Sequence, residues 1–130
     1  MTSGEVVSTE TDLAVRRLIA RAAHLADDGN PQALGDLFTK DGKLIVGDNQ
    51  SVGRDAIVAG LSGAGGGQHT TTNTVVSRGS AEGTVHAISD LAYLHRDDGK
   101  WSVAVVGRYH DTIVQEGDDY LFSQRIFTLR

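Results

Sequence analysis

The chain has 130 residues, 39% hydrophobic and 22% charged, enough for one domain with its own core and too apolar for a disordered segment. Its net charge of −5 argues against nucleic acid and against an anionic membrane surface, because both call for a basic footprint. The absence of cysteine removes disulfides, thiolate metal sites and a cysteine nucleophile from consideration.

Residues 1–9 read as a flexible tail and 10–130 as a single domain. Met1–Glu10 lacks the basic end and apolar run of a signal peptide, and no apolar run approaches the roughly 18 residues of a membrane-spanning helix. A soluble, cytoplasmic protein is therefore expected. Thr9 or Thr11 can cap a first helix, with Glu10 and Asp12 favourable in its first turn. Leu13, Val15, Leu18, Ile19, Ala22, Leu25 and Ala26 recur at helical spacing, and the helix ends at Asp27-Asp28-Gly29. Asn30-Pro31 opens a second helix with Ala33, Leu34, Leu37 and Phe38 as its buried stripe.

Lys40-Asp41-Gly42 reads as a turn and Lys43–Val46 as a short strand. Gly47–Gln50 makes a hairpin turn, and Ser51–Gly53 returns along it. Arg54–Leu61 forms a third helix, and the Gly-rich stretch 62–67 is a mobile loop with little side chain to pack. That loop follows a helix and precedes a strand, the wrong context for a phosphate cradle.

Gln68–Val76 is a strand whose two faces are both semi-polar. His69, Thr71, Asn73 and Val75 share one face. Polar groups on an inner face point to a cavity, and His69 is the group there able to move a proton near neutral pH. An edge strand would tolerate the same pattern. Strands then follow at Thr84–Arg96, Trp101–Gln115 and Tyr120–Arg130, separated by turns at Asp97–Lys100 and Glu116–Asp119. Helices first and strands after define an α+β domain, a curved antiparallel meander sheet with three N-terminal helices on one face.

The order of elements resembles the SnoaL-like branch of the nuclear transport factor 2-like superfamily. Four stretches carry the likeness: residues 23–30 with 34–42, Val52–Ile57, His69-Thr-Thr-Thr-Asn73, and Gly107-Arg-Tyr109-His-Asp111 followed by a strand containing Arg125. The resemblance implies a cone-shaped fold open at one end to an apolar pocket. Relatives of this kind include scytalone dehydratase, hexachlorocyclohexane dehydrochlorinase, ketosteroid isomerase and polyketide cyclases, alongside non-catalytic binders. Fold alone therefore does not fix the activity.

The resemblance to the dehydrochlorinase implies a catalytic pair of an aspartate at the end of the first helix and the histidine opening the third strand. The positions are Asp27 and His69, with Asp28 as the rival carboxylate. A carboxylate bonded to one imidazole nitrogen fixes the tautomer and makes the other nitrogen a better base. An acid at the negative end of a helix is otherwise unfavourable. Where related enzymes carry a tyrosine in the first helix, this chain has Ala22.

Thr71, Asn73, Tyr109, Asp111, Arg108 and Arg125 are candidates to bind substrate, the two arginines by meeting an anionic group. The other histidines, His24, His86, His95 and His110, lack the paired spacing of a zinc site, so neither metal nor cofactor is expected. The expected activity is cofactor-independent proton abstraction from a small hydrophobic molecule, leading to elimination, isomerisation or cyclisation. The alternative is a ligand-binding or dimerisation domain without chemistry. The apolar residues of both parities in the last three strands imply a homodimer through the outer sheet face.

Overall fold

The computed structural model describes residues 6–63 and 65–130. Helix α1 runs from Thr9 to Asp27, α2 from Pro31 to Gly35 and α3 from Arg54 to Leu61. The strands are β1 (Phe38–Val46), β2 (Asn49–Val52), β3 (Gln68–Arg78), β4 (Thr84–Asp97), β5 (Lys100–Glu116) and β6 (Asp119–Leu129). They form one sheet in the order β2-β1-β6-β5-β4-β3. The domain is α+β, with three helices against a curved sheet.

Strands β3 to β6 are the expected antiparallel meander. β1 joins the free side of β6 in parallel, so the sheet is mixed. Helix-first order does not reveal this pairing, which covers an edge that β6 would otherwise expose.

Three local boundaries differ from the sequence reading. Ser8, not Thr9 or Thr11, caps α1, its hydroxyl accepting from the Thr11 amide at 3.1 Å. α2 ends at Gly35, and Phe38 opens β1. The turn signal at Lys40-Asp41-Gly42 becomes an irregularity inside β1, between Phe38 and Lys43, rather than a chain reversal. Leu37 and Phe38 are buried all the same. Of the expected tail, Met1–Glu5 lie outside the described residues, as does Ala64 of the glycine-rich loop.

α1 buries Val15, Leu18, Ile19 and Ala22 against the sheet, with Ile57 of α3 and Phe38, Val76, Ala87, Ile113 and Phe122 completing the core. The helical stripe of period 3.6 and the strand alternation of period 2 thus meet in one cluster. Each large side chain fully buried there contributes about 1.5–3 kcal/mol. A second, smaller cluster of Leu91, Tyr109 and Phe127 lies further along the same sheet. No helix among the described residues is long and apolar enough to cross a membrane.

Candidate functional site

Asp27 is the last residue of α1, and His69 is the second residue of β3. The Asp27 Oδ1 lies 2.6 Å from His69 Nδ1. The His69 backbone N–H also points at this carboxylate, 2.9 Å from Oδ1 and 3.0 Å from Oδ2. These donors explain how a carboxylate is tolerated at the negative end of a helix: the strand supplies what the helix terminus denies. Asp28 is the exposed C-cap and makes only backbone contacts there. Of the two acids, Asp27 is the one in contact with His69.

With Nδ1 bonded to Asp27, Nε2 is the nitrogen free to take a proton. The imidazole is held from a second side by Tyr93, whose ring meets it edge-on with centroids 4.8 Å apart. Tyr93 pairs directly across from His69 in the β3–β4 register. Its hydroxyl in turn packs on Gly67, where an added Cβ would come within 2.0 Å of the tyrosine oxygen. Any larger residue at 67 would force the Tyr93 ring to move.

His69 stands between two spaces. On one side is a narrow apolar cavity of about 70 Å3. Ile19, Ala22, Ala23 and Ala26 of α1 and Phe38 and Leu44 of β1 form its walls, and His69, Thr71, Tyr109 and Arg125 supply its polar groups. On the other side is a wider vestibule of about 620 Å3, bounded by the end of α1, Gly66, Gly67 and Gln68. Ala23, His69 and Thr71 border both. The rim is fastened where the Gly66 N–H donates to the Asp27 backbone carbonyl at 3.2 Å.

Deeper in, Arg125 is buried and paired with fully buried Asp111, Nε to Oδ1 at 2.9 Å and Nη2 to Oδ2 at 3.3 Å. The guanidinium lies over the Tyr109 ring at 3.8 Å and the Phe122 ring at 4.5 Å. Burial pushes the Asp111 carboxyl up, against the opposing pull of Arg125. Burial also pushes the Tyr109 phenol up, with Arg125 opposing and Asp111 and Asp27 adding to the rise. Tyr109 is therefore a neutral hydrogen-bond donor at working pH.

Two expected substrate contacts lie elsewhere. Asn73 has φ of 55°, and the β3–β4 register shifts between Thr72 and Val75. This bulge breaks the strand alternation and turns Asn73 to the face opposite Thr71. Asn73 Nδ2 instead donates to Asp90 Oδ2 at 3.0 Å, and Arg108 Nε donates to Asp90 Oδ1 at 2.7 Å. Arg108 alternates with the inward-facing Gly107 and Tyr109, so it belongs to the outer face. Arg108 first, and Asn73 after it, hold the Asp90 carboxyl down at about 2.

Thr71, Tyr109 and Arg125 thus share a cavity with His69, Asp111 backs Arg125, and Asn73 and Arg108 form a separate cluster. Tyr93 escaped the sequence reading, although its place opposite His69 follows once the strands are registered.

The fold has relatives. The SnoaL-like domain family matches residues 7–126, and the chain belongs to that family. An NTF2-like protein with a cystatin-like fold from Novosphingobium aromaticivorans is 26% identical, with a TM-score of 0.83 over 92% of this chain and 82% of that one. A scytalone dehydratase-like protein from the same species is 22% identical, with a TM-score of 0.79 over 95% and 89%. A Catenulispora acidiphila protein, solved in complex with S-DNPA, is 22% identical with a TM-score of 0.80 over 92% and 93%. At such identities the last two speak for the fold alone. No curated protein matches the chain.

Proposed function

We propose that this protein is a small enzyme in which His69, oriented by Asp27, abstracts a proton from a small hydrophobic substrate without a cofactor. The observation that carries this reading is the 2.6 Å contact between Asp27 Oδ1 and His69 Nδ1, made where an apolar cavity meets an open vestibule. Nε2 then faces bound substrate as a general base, and the apolar walls exclude competing water. Elimination, isomerisation and cyclisation all begin with that step. Thr71, Tyr109 and Arg125 contact the substrate, and Asp111 supports Arg125. The small molecule bound by the Catenulispora relative agrees with a ligand-binding cone.

The competing reading, a binding domain without chemistry, draws on the narrowness of the inner cavity, which is small beside the roughly 300–1,000 Å3 of most ligand sites. The two are separated by incubating wild type and His69→Ala with small cyclic ketones in D2O and following α-proton exchange by NMR. The enzyme reading expects wild-type exchange above background and a loss of about 10²–10⁴-fold in the variant. Equal exchange by both proteins, with the variant folded, would leave only the binding domain.

A further inference from the structure

The last four carbonyls of α1 each need a partner from beyond the helix. Three find one in the residues that follow: His24 accepts from Asp28, Ala26 from Gly29 and Leu25 from Asn30. The fourth, the Asp27 carbonyl, accepts from the Gly66 N–H across the fold at 3.2 Å. The Asp27 carboxylate receives the His69 backbone N–H and faces His69 Nδ1. Asp27 is thus held through its backbone by residue 66 and through its side chain by residue 69.

Gly67 lies between these two anchors. Gly65 and Gly66 have φ of 127° and 86°, where the backbone itself favours glycine. Gly67 lies outside that left-handed region, so φ does not call for glycine there. Space does. An added Cβ would come within 2.0 Å of the Tyr93 oxygen and 2.3 Å of Cζ. A tyrosine ring is rigid, so relieving that clash swings the whole ring. The same ring meets the His69 imidazole at 63°, with centroids 4.8 Å apart. Tyr93 and His69 are directly opposed in the β3–β4 register, with no residue between them to absorb a shift. The contacts close on themselves: Asp27 carbonyl to Gly66, Gly67 to Tyr93, Tyr93 to His69, and His69 back to the Asp27 carboxylate.

We infer that Tyr93 and Gly67 are positioning residues for the base: the Tyr93 ring, seated over Gly67, fixes the plane of the His69 imidazole so that Nδ1 stays on Asp27 and Nε2 stays free. This rests on the proposed role of the Asp27–His69 pair and adds what holds the pair in line. The carboxylate alone fixes one atom of the imidazole, and the ring can still tilt about that contact. A second ring meeting it at an angle removes the tilt. The glycine-rich segment then has a role at residues 66 and 67 that its mobility would not supply. It ties the end of α1 to the tyrosine that restrains the base.

The test uses the full chain with isotope-labelled histidine, so that NMR reads the His69 ring directly. Wild type should show the Nδ1–H tautomer and a low-field proton in the bond to Asp27. Tyr93→Phe keeps the ring and should keep both signals. Tyr93→Leu removes the ring and Gly67→Ala displaces it. Each should lose the low-field proton, mix the tautomers and slow α-proton exchange of cyclohexanone in D2O by about 10²-fold, the order expected for a misplacement of about an ångström. Once Tyr93 is leucine, the added Cβ meets no ring, so Gly67→Ala with Tyr93→Leu should be no slower than the slower single variant. Urea denaturation identifies the folded variants, and if Tyr93→Leu does not fold, Gly67→Ala against Tyr93→Phe carries the comparison. Wild-type His69 signals in folded Gly67→Ala or Tyr93→Leu overturn the inference, as do additive losses in the double variant or a wild type without the Nδ1–H tautomer. Signals that respond as expected, with no exchange even in wild type, would uphold the positioning and refute the proton abstraction.

Discussion

Asp27→Asn is the sharpest perturbation of the candidate dyad, because it changes one atom and removes one charge. The native carboxylate receives the His69 backbone N–H at 2.9 and 3.0 Å and faces His69 Nδ1 at 2.6 Å. An asparagine can sit in two ways. With its oxygen in the Oδ1 place it keeps both contacts as a neutral acceptor, and the charge that would stabilise an imidazolium is gone. With its NH2 there it donates to Nδ1, and the proton moves to Nε2, where the base should be free. Either way catalysis suffers, by about 10²–10⁴-fold, as expected for losing an oriented base. Stability should fall far less. A charge-assisted hydrogen bond contributes about 1.5–3 kcal/mol and a neutral one about 0.5–1.5, so the difference is about 1–2 kcal/mol for these partly buried groups. The assay is ketone α-proton exchange on protein shown folded by circular dichroism. Asp28→Asn serves for comparison, with a loss at least ten times smaller. If folded Asp27→Asn keeps exchange within tenfold of wild type, the dyad does not act as argued.

Two further predictions concern ion pairs of opposite character. Asp111→Leu alone leaves the buried Arg125 charge without a partner and should destabilise by about 3–5 kcal/mol. Asp111→Leu with Arg125→Met should recover most of that loss in urea denaturation, and a double variant no more stable than the single one would refute the pairing. Asp90 is the half-buried counterpart on the outer face. Its carboxyl is held at about 2 by Arg108 and Asn73, so its contribution to stability is present above the ordinary aspartate value near 4 and is lost as pH falls through about 2. Carbon-detected NMR titration should find Asp90 near 2 in wild type and in the ordinary aspartate range in Arg108→Ala. An unchanged titration would remove Arg108 as the cause.

The long-period features were legible in the sequence, and the interruptions were not. The α1 stripe, the hairpin turns after β4 and β5 and the helix-then-strand order each rest on residues repeated many times over. The Asp27–His69 pair came from a resemblance, and the physics that makes it plausible, strand donors relieving an acid at a helix end, appears only once β3 is docked on α1. Asn73 was misplaced because one bulge inverts the alternation of a whole strand, and nothing in Thr-Thr-Thr-Asn announces it. Arg108 and Arg125 look alike in sequence. Strand parity sends one to the surface and the other beneath Tyr109. Tyr93 matters through the His69 ring it touches across the sheet.

Parity also decides the outer face, where a homodimer is predicted. The register aligns Val75 of β3 with Ile88 of β4, Ile88 with His110 of β5, His110 with Ile126 of β6, and Ile126 with Ile45 of β1. This row crosses five strands on the face turned away from the helices, and Val75 in it is 52% exposed. Val106, on the same face, is 47% exposed, and Trp101 and Val103 at the start of β5 are 51% and 59% exposed. Trp101 is thus not a core residue, which leaves it free to anchor an interface. This row is apolar but for His110 at its centre, and a twofold axis through it would bury it on both copies. Sedimentation at micromolar concentration should give twice the chain mass of 13.8 kDa. Ile88→Glu places a charge within the row, beside His110, without touching the core and should shift the population to monomer. A wild-type species near the single-chain mass rules the dimer out, and an Ile88→Glu protein that still sediments as a dimer moves the interface elsewhere.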